Sequence, residues 1–164
     1  VSKYFLLASS GLLLFIYTQV MAGENWEVVI DTDPASQNST CLMESATHVI
    51  DDGQTETPVK LLYTGLELYA ITKSNIDLSY PETGLQIDSQ KRFQVDQLHN
   101  KNTVVFNKKV KKIHTQLIHG KKAKLALGFW PTWPRTHTRI IAFDLTGYTK
   151  TYEKFVKCKK TGKL

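Results

Sequence analysis

Several features that would name a chemistry are missing from this 164-residue chain. It has no Gly-x-Ser-x-Gly turn, which excludes the strained nucleophile elbow of the α/β-hydrolases. Its five histidines, at 48, 99, 114, 119 and 137, are scattered. His114 and His119 stand five apart, outside the i, i+4 spacing of a helical metal pair. There are two cysteines, too few for a Cys-rich zinc site, so neither metal nor cofactor is expected. Internal repeats, low-complexity blocks and Pro/Ser linkers are absent, and residues 23–164 read as a single domain.

Long apolar runs are also scarce, and the one that exists is at the start. Lys3 precedes a largely apolar stretch from Tyr4 to Val20, and Val20-Met21-Ala22 supplies small residues suited to signal peptidase. Ser9, Ser10, Thr18 and Gln19 interrupt the stretch, and no stop-transfer charges follow it. Residues 1–22 are therefore expected to be a cleaved secretory signal, placing the protein in the periplasm or outside the cell. In such a compartment Cys41 and Cys158 have one pairing open to them, a disulfide closing more than a hundred residues. Loop-closure entropy puts its contribution at up to about 4–5 kcal/mol.

Acid is missing from a long central segment. Residues 23–96 carry thirteen acids against four bases, whereas residues 97–143 hold eight lysines, Arg135 and Arg139 with no acid at all. Either the two halves neutralise each other across the fold or they form opposite faces. A positive face attracts anionic headgroups, lipopolysaccharide phosphates or polyanionic glycans. Export and the lack of any recognition motif argue against nucleic acid as the partner.

The pattern of what is present is that of a β protein. Short β-prone or alternating runs occur at 26–31, 41–43, 59–63, 66–71, 76–80, 85–88, 93–95 and 103–106, spaced near ten residues. Asp51-Asp52-Gly53-Gln54 and Pro81 to Gly84 are turn signals, and Asp31-x-Asp33 is a second carboxylate pair that turn chemistry explains. Val110, Ile113, Leu117 and Ile118 recur at helical spacing, with Gly120 as a stop. Tyr148, Tyr152, Phe155 and Val156 predict a C-terminal helix that carries Cys158 toward Cys41. Residues 123–129 and 138–143 read as a hairpin. The expected fold is mainly β, an antiparallel β-sandwich with one or two peripheral helices, including a C-terminal one.

Two surfaces stand out. Trp130-Pro131-Thr132-Trp133-Pro134 belongs at a loop or strand edge, because proline cannot donate to a sheet ladder. Its indoles either plug one end of the sandwich or, with Arg135, His137 and Arg139, form a contact edge for sugars, peptides or a membrane interface. The second surface is the basic helix over 107–119, studded with Lys108, Lys109, Lys111 and Lys112. Its narrow apolar face suits docking onto its own sheet with a solvated outer side, while its charge permits peripheral contact with an anionic membrane.

The order of features resembles the invasion-associated locus B family of exported bacterial proteins. The parallels are Trp26 and Val28 in a first strand, Cys41 and Met43 in an early one, then Leu117, Gly120, Lys121 and Ala123 at a strand entry. Leu145, Gly147 and Tyr148 lead into the final helix. A mid-chain cysteine pair is lacking, and the Trp-Pro-Thr-Trp-Pro segment lies outside the pattern. The resemblance implies a periplasmic or surface β-sandwich linked to host-cell entry, with no defined active site. The resulting expectation is a non-enzymatic binding protein whose contact residues are Trp130, Trp133, Arg135 and Arg139, with Lys108, Lys109, Lys111 and Lys112 in support. Its partner would be an anionic envelope component or another exported protein. The alternative is an envelope-polymer hydrolase whose site is invisible in sequence.

Overall fold

A computed structural model describes residues 25–131 and 137–164. The expected signal segment, Trp133 and Arg135 lie outside the described residues. The chain forms two antiparallel sheets and two helices, and both sheets contribute to one hydrophobic core.

The first sheet is built from β1 (Trp26–Thr32), β2 (Ser39–Ser45), β3 (His48–Asp51), β4 (Glu56–Tyr63), β5 (Leu68–Thr72), β9 (Gln97–His99) and β10 (Thr103–Phe106). Its order is β1-β2-β4-β5-β10-β9, with β3 also paired to β4. The second contains β6 (Ile76–Asp77), β7 (Gly84–Ile87), β8 (Phe93–Gln94), β11 (Lys122–Phe129) and β12 (Arg139–Asp144). Here the order is β12-β11-β7-β8, with β6 on the far end of β11. Alternation in the sequence becomes alternation in burial: on β4, Thr57, Val59, Leu61 and Tyr63 point inward while Pro58, Lys60 and Leu62 do not.

Where strands stop, a side chain or a special backbone conformation stops them. The run expected over 66–71 begins only at Leu68, because Gly65 (φ +96°) and the Thr64 hydroxyl close a turn that leaves Leu66 exposed. The run at 76–80 ends at Asp77, whose carboxylate accepts the Ser79 N–H and bends the chain away. Two strands carry weak sequence signals. β3 forms the first arm of the hairpin closed by Asp51-Asp52-Gly53, and β9 pairs with β10 through Asn100 and Lys101, both at positive φ.

Helix α1 (Val110–His119) buries Ile113 and Leu117, and helix α2 (Tyr148–Thr161) buries Tyr148, Thr151, Phe155 and Cys158 along one stripe. Gly162 at φ +68° ends α2, its N–H donating to the Cys158 carbonyl at 2.7 Å. This helix packs on β1 and β2. Cys41 and Cys158 are disulfide-bonded, with Cα atoms 6.0 Å apart and 117 residues between them in sequence. Trp26 makes a second tie beside that bond. Its indole N–H donates to the Asp144 carbonyl at 2.8 Å, its ring meets Tyr148 edge-on at 4.8 Å, and its carbonyl accepts the Thr151 hydroxyl.

Candidate functional site

The residues singled out in the sequence fall into two groups. Trp130 follows β11 at the tip of the β11–β12 hairpin, its backbone N–H held by the Asn75 carbonyl and its side chain 61% exposed. Trp130 is thus open to water, while Trp133, the second indole of the segment, lies outside the described residues. Arg139 opens β12 opposite Leu127 and donates to Asp51 Oδ2 at 3.2 Å, so part of its charge is already engaged across the sandwich. His137 is exposed at positive φ.

The lysines form the second group. The helix begins at Val110 rather than 107, because the N–H groups of Asn107 and Lys108 both donate to Asp96 Oδ2 and hold a turn there. Lys109 is the N-cap residue and makes no side-chain cap bond, and no acid occupies the first turn. Three lysines, 109, 111 and 112, therefore stand where the helix dipole favours negative charge. Lys108 reaches Asp96 at 4.0 Å, and Lys108–Asp96 and Arg139–Asp51 are two ion pairs that join the basic part of the chain to the acidic part.

Lys109 and Lys112 line a cleft of about 380 Å³ between α1 and the loop that joins β7 to β8, opposite Lys91 and Arg92. Neither Trp130 nor Arg139 lines it. Lys91 and Arg92 carry no local sequence signal, being two of the four bases in the otherwise acidic first half. Only the register that sets β7 beside β8 and beneath α1 brings them to the lysines.

The carboxylate pairs serve turns. Asp33 accepts the N–H groups of Ala35 and Ser36, Asp51 that of Gly53, and Asp52 those of Gln54 and Thr55. Burial pushes the Asp52 carboxyl up, but the Ser74 hydroxyl and the two N–H donors outweigh it and hold it below its ordinary value. Among the described residues, no group of three or more His, Cys, Asp or Glu side chains is arranged to hold a metal.

His114, half-buried like His48, sits among aromatic rings. Its ring stacks on Tyr63 at 4.9 Å, lies 4.2 Å from Tyr152, and places Nδ1 2.9 Å from the Tyr148 hydroxyl. Burial lowers its pKa and pushes the Tyr148 phenol well above its ordinary value. A neutral imidazole is the right species for this aromatic nest. His48 packs on Phe143, His99 bonds Gln97, and His119 bonds the Thr115 carbonyl.

The site and scaffold define a disulfide-closed, β-sandwich-like protein with a basic helix on its flank. A bond of this kind is consistent with an extracytoplasmic setting. Comparison with solved structures finds the same fold in invasion associated protein B from Bartonella henselae, with a TM-score of 0.51 and 17% identity over 83% of this chain and 94% of that one. The likeness covers most of both chains and agrees with the resemblance carried by Trp26, Cys41, Gly120 and Gly147. No protein-family model matches the chain, and no curated protein matches it in sequence.

Proposed function

We propose that this chain is an exported, non-enzymatic interaction protein of a bacterial envelope, engaging an anionic envelope component in a role linked to host-cell invasion. The observation that supports it most is the excess of positive charge at the start of α1, where Lys109, Lys111 and Lys112 occupy the end of the helix that favours anions and Asp96 is the carboxylate beside them, already paired with Lys108. The Cys41–Cys158 bond supports export. The invasion link rests on the fold shared with the Bartonella protein. What supports the non-enzymatic reading is that the histidine partners are rings, an amide, a carbonyl and the buried Tyr148 phenol, whose pKa burial raises.

The test is cosedimentation of the oxidised chain, purified from the periplasm of an expression host, with vesicles of phosphatidylglycerol or of phosphatidylcholine. Binding is expected to the first alone, and to fall steeply between low and high salt as screening sets in. Substituting Lys108, Lys109, Lys111 and Lys112 by Gln should abolish it. Equal binding to both vesicles, or none to either, would refute the reading. Capture of one stoichiometric exported protein in place of lipid would move the partner to a protein.

A further inference from the structure

Helix α1 is poorly equipped to stand alone. It has ten residues, no side-chain cap at Lys109 and no acid in its first turn, and an isolated helix of that length is unstable in water. Ile113 and Leu117 tie it to the core. Among the described residues, two side-chain hydrogen bonds tie it to α2. Thr149 Oγ1 donates to the Ile118 carbonyl at 3.2 Å, and the Tyr148 hydroxyl lies 2.9 Å from His114 Nδ1.

The second bond has a direction. Tyr148 is fully buried, and Nδ1 is the one partner its hydroxyl has among the described residues. A buried O–H keeps an acceptor, so the phenol donates and Nδ1 offers its lone pair. The neutral imidazole therefore carries its proton on Nε2. Proton uptake puts a hydrogen on Nδ1 as well. The phenol oxygen can then only accept, and its own proton is left in the interior without a partner.

His114 is half-buried, so protons from solvent reach it. The titratable groups that face it are phenols, Tyr63 from β4 and Tyr148 and Tyr152 from α2. On α1 itself Lys111 stands one turn back, a cation that disfavours a second. No ion pair among the described residues reaches the ring. The faces of Tyr63 and Tyr152 attract a cation and offset part of the cost, while burial adds to it and lowers the imidazole pKa.

We propose that the His114–Tyr148 hydrogen bond is an acid-released latch: proton uptake at Nδ1 breaks it and frees α1 from α2, while both sheets and the Cys41–Cys158 bond stay in place. The latch is independent of what the lysines of α1 engage.

Three measurements on the oxidised chain test it. The ring nitrogen shifts of His114 at pH 7.5 are expected to show a protonated Nε2 and a bare Nδ1; a protonated Nδ1 overturns the latch. Tyr148→Phe keeps the buried ring and removes the donor, so the His114 titration midpoint, followed by NMR, should rise above that of the parent. An unchanged or lower midpoint means that burial alone opposes the proton, and overturns the proposal. Native-state hydrogen exchange in low urea then reads the release. The α1 amides of Ile113 and Gly120, bonded to Lys109 and Gln116, should exchange through an opening with a shallower urea slope than the amides of β4 and β5. That opening should become at least about threefold more populated between pH 7.5 and 5, and stay constant with pH in His114→Phe. A slope as steep as that of the strands, no acid response in the parent, or one that survives in His114→Phe overturns the latch. The first and third measurements need no change at Tyr148, and decide the question even where that variant fails to fold.

Discussion

Reduction of the Cys41–Cys158 bond offers the sharpest measure of how this fold is held. The bond links β2 to α2 across 117 residues. In the chain-entropy treatment, closing a loop of that length removes about 16 cal/mol/K from the unfolded chain, or about 5 kcal/mol at 25 °C. Native stabilities of single domains are about 5–15 kcal/mol, so this one bond is a large fraction of the whole. With a urea slope of about 2 kcal/mol/M, a loss of about 3–5 kcal/mol moves the unfolding midpoint down by about 1.5–2.5 M. The assay is urea unfolding followed by tryptophan fluorescence, on the oxidised chain, on the same chain with a reductant, and on Cys41→Ala/Cys158→Ala. Both cysteines are buried, so alanine avoids placing a hydroxyl in the core. The reduced and alanine forms should agree to within about 1 kcal/mol. A midpoint shift below about 0.5 M in both would refute the reasoning and mean that the Trp26–Tyr148–Thr151 contacts hold α2 in place on their own.

Three further outcomes are expected. His114 has its pKa lowered by burial, so the unfolded chain takes up a proton that the native one refuses, and stability should fall as pH drops below about 6.5, the imidazole's unperturbed value; urea midpoints at pH 7.5 and 5 should lie closer together in His114→Phe than in the parent. Trp130→Ala should change stability by less than about 0.5 kcal/mol, since the side chain is exposed, and a loss above about 1 kcal/mol in thermal unfolding would restore the plug. Gly84→Ala should cost about 2–4 kcal/mol by urea denaturation, because Gly84 has φ +153° and a Cβ there collides with the Phe93 carbonyl.

The scaffold was legible wherever one face of an element is buried and the other is wet. Alternation at 85–88 predicted β7, and the spacing of Ile113 and Leu117 predicted α1, because burial imposes periods of 2 and 3.6 on the sequence. β9 escaped because only Leu98 marks it and its turn is Asn100-Lys101 rather than Asn-Gly. β3 escaped because His48–Asp51 is short and half exposed, so no alternation stands out. The cysteine pairing was legible by counting, as two cysteines allow one bond. The cleft was half legible: lysines 109 and 112 announce themselves in a run, whereas Lys91, Arg92 and Gln116 reach the same place through strand register, which a local pattern does not encode. The functional edge expected at the hairpin tip retains Trp130 and Arg139 in view, and the second of these is already paired with Asp51.

The long span of the disulfide has a consequence for biogenesis. Cys41 leaves the ribosome 117 residues ahead of its mate, a delay of about 6–23 s at a synthesis rate of about 5–20 residues per second. Through that interval the nascent chain holds a lone thiol. With no third cysteine in the sequence, a premature disulfide can form only with a thiol on another molecule. Errors in maturation should therefore appear as mixed disulfides with another thiol, a second copy of the chain included, never as a scrambled monomer.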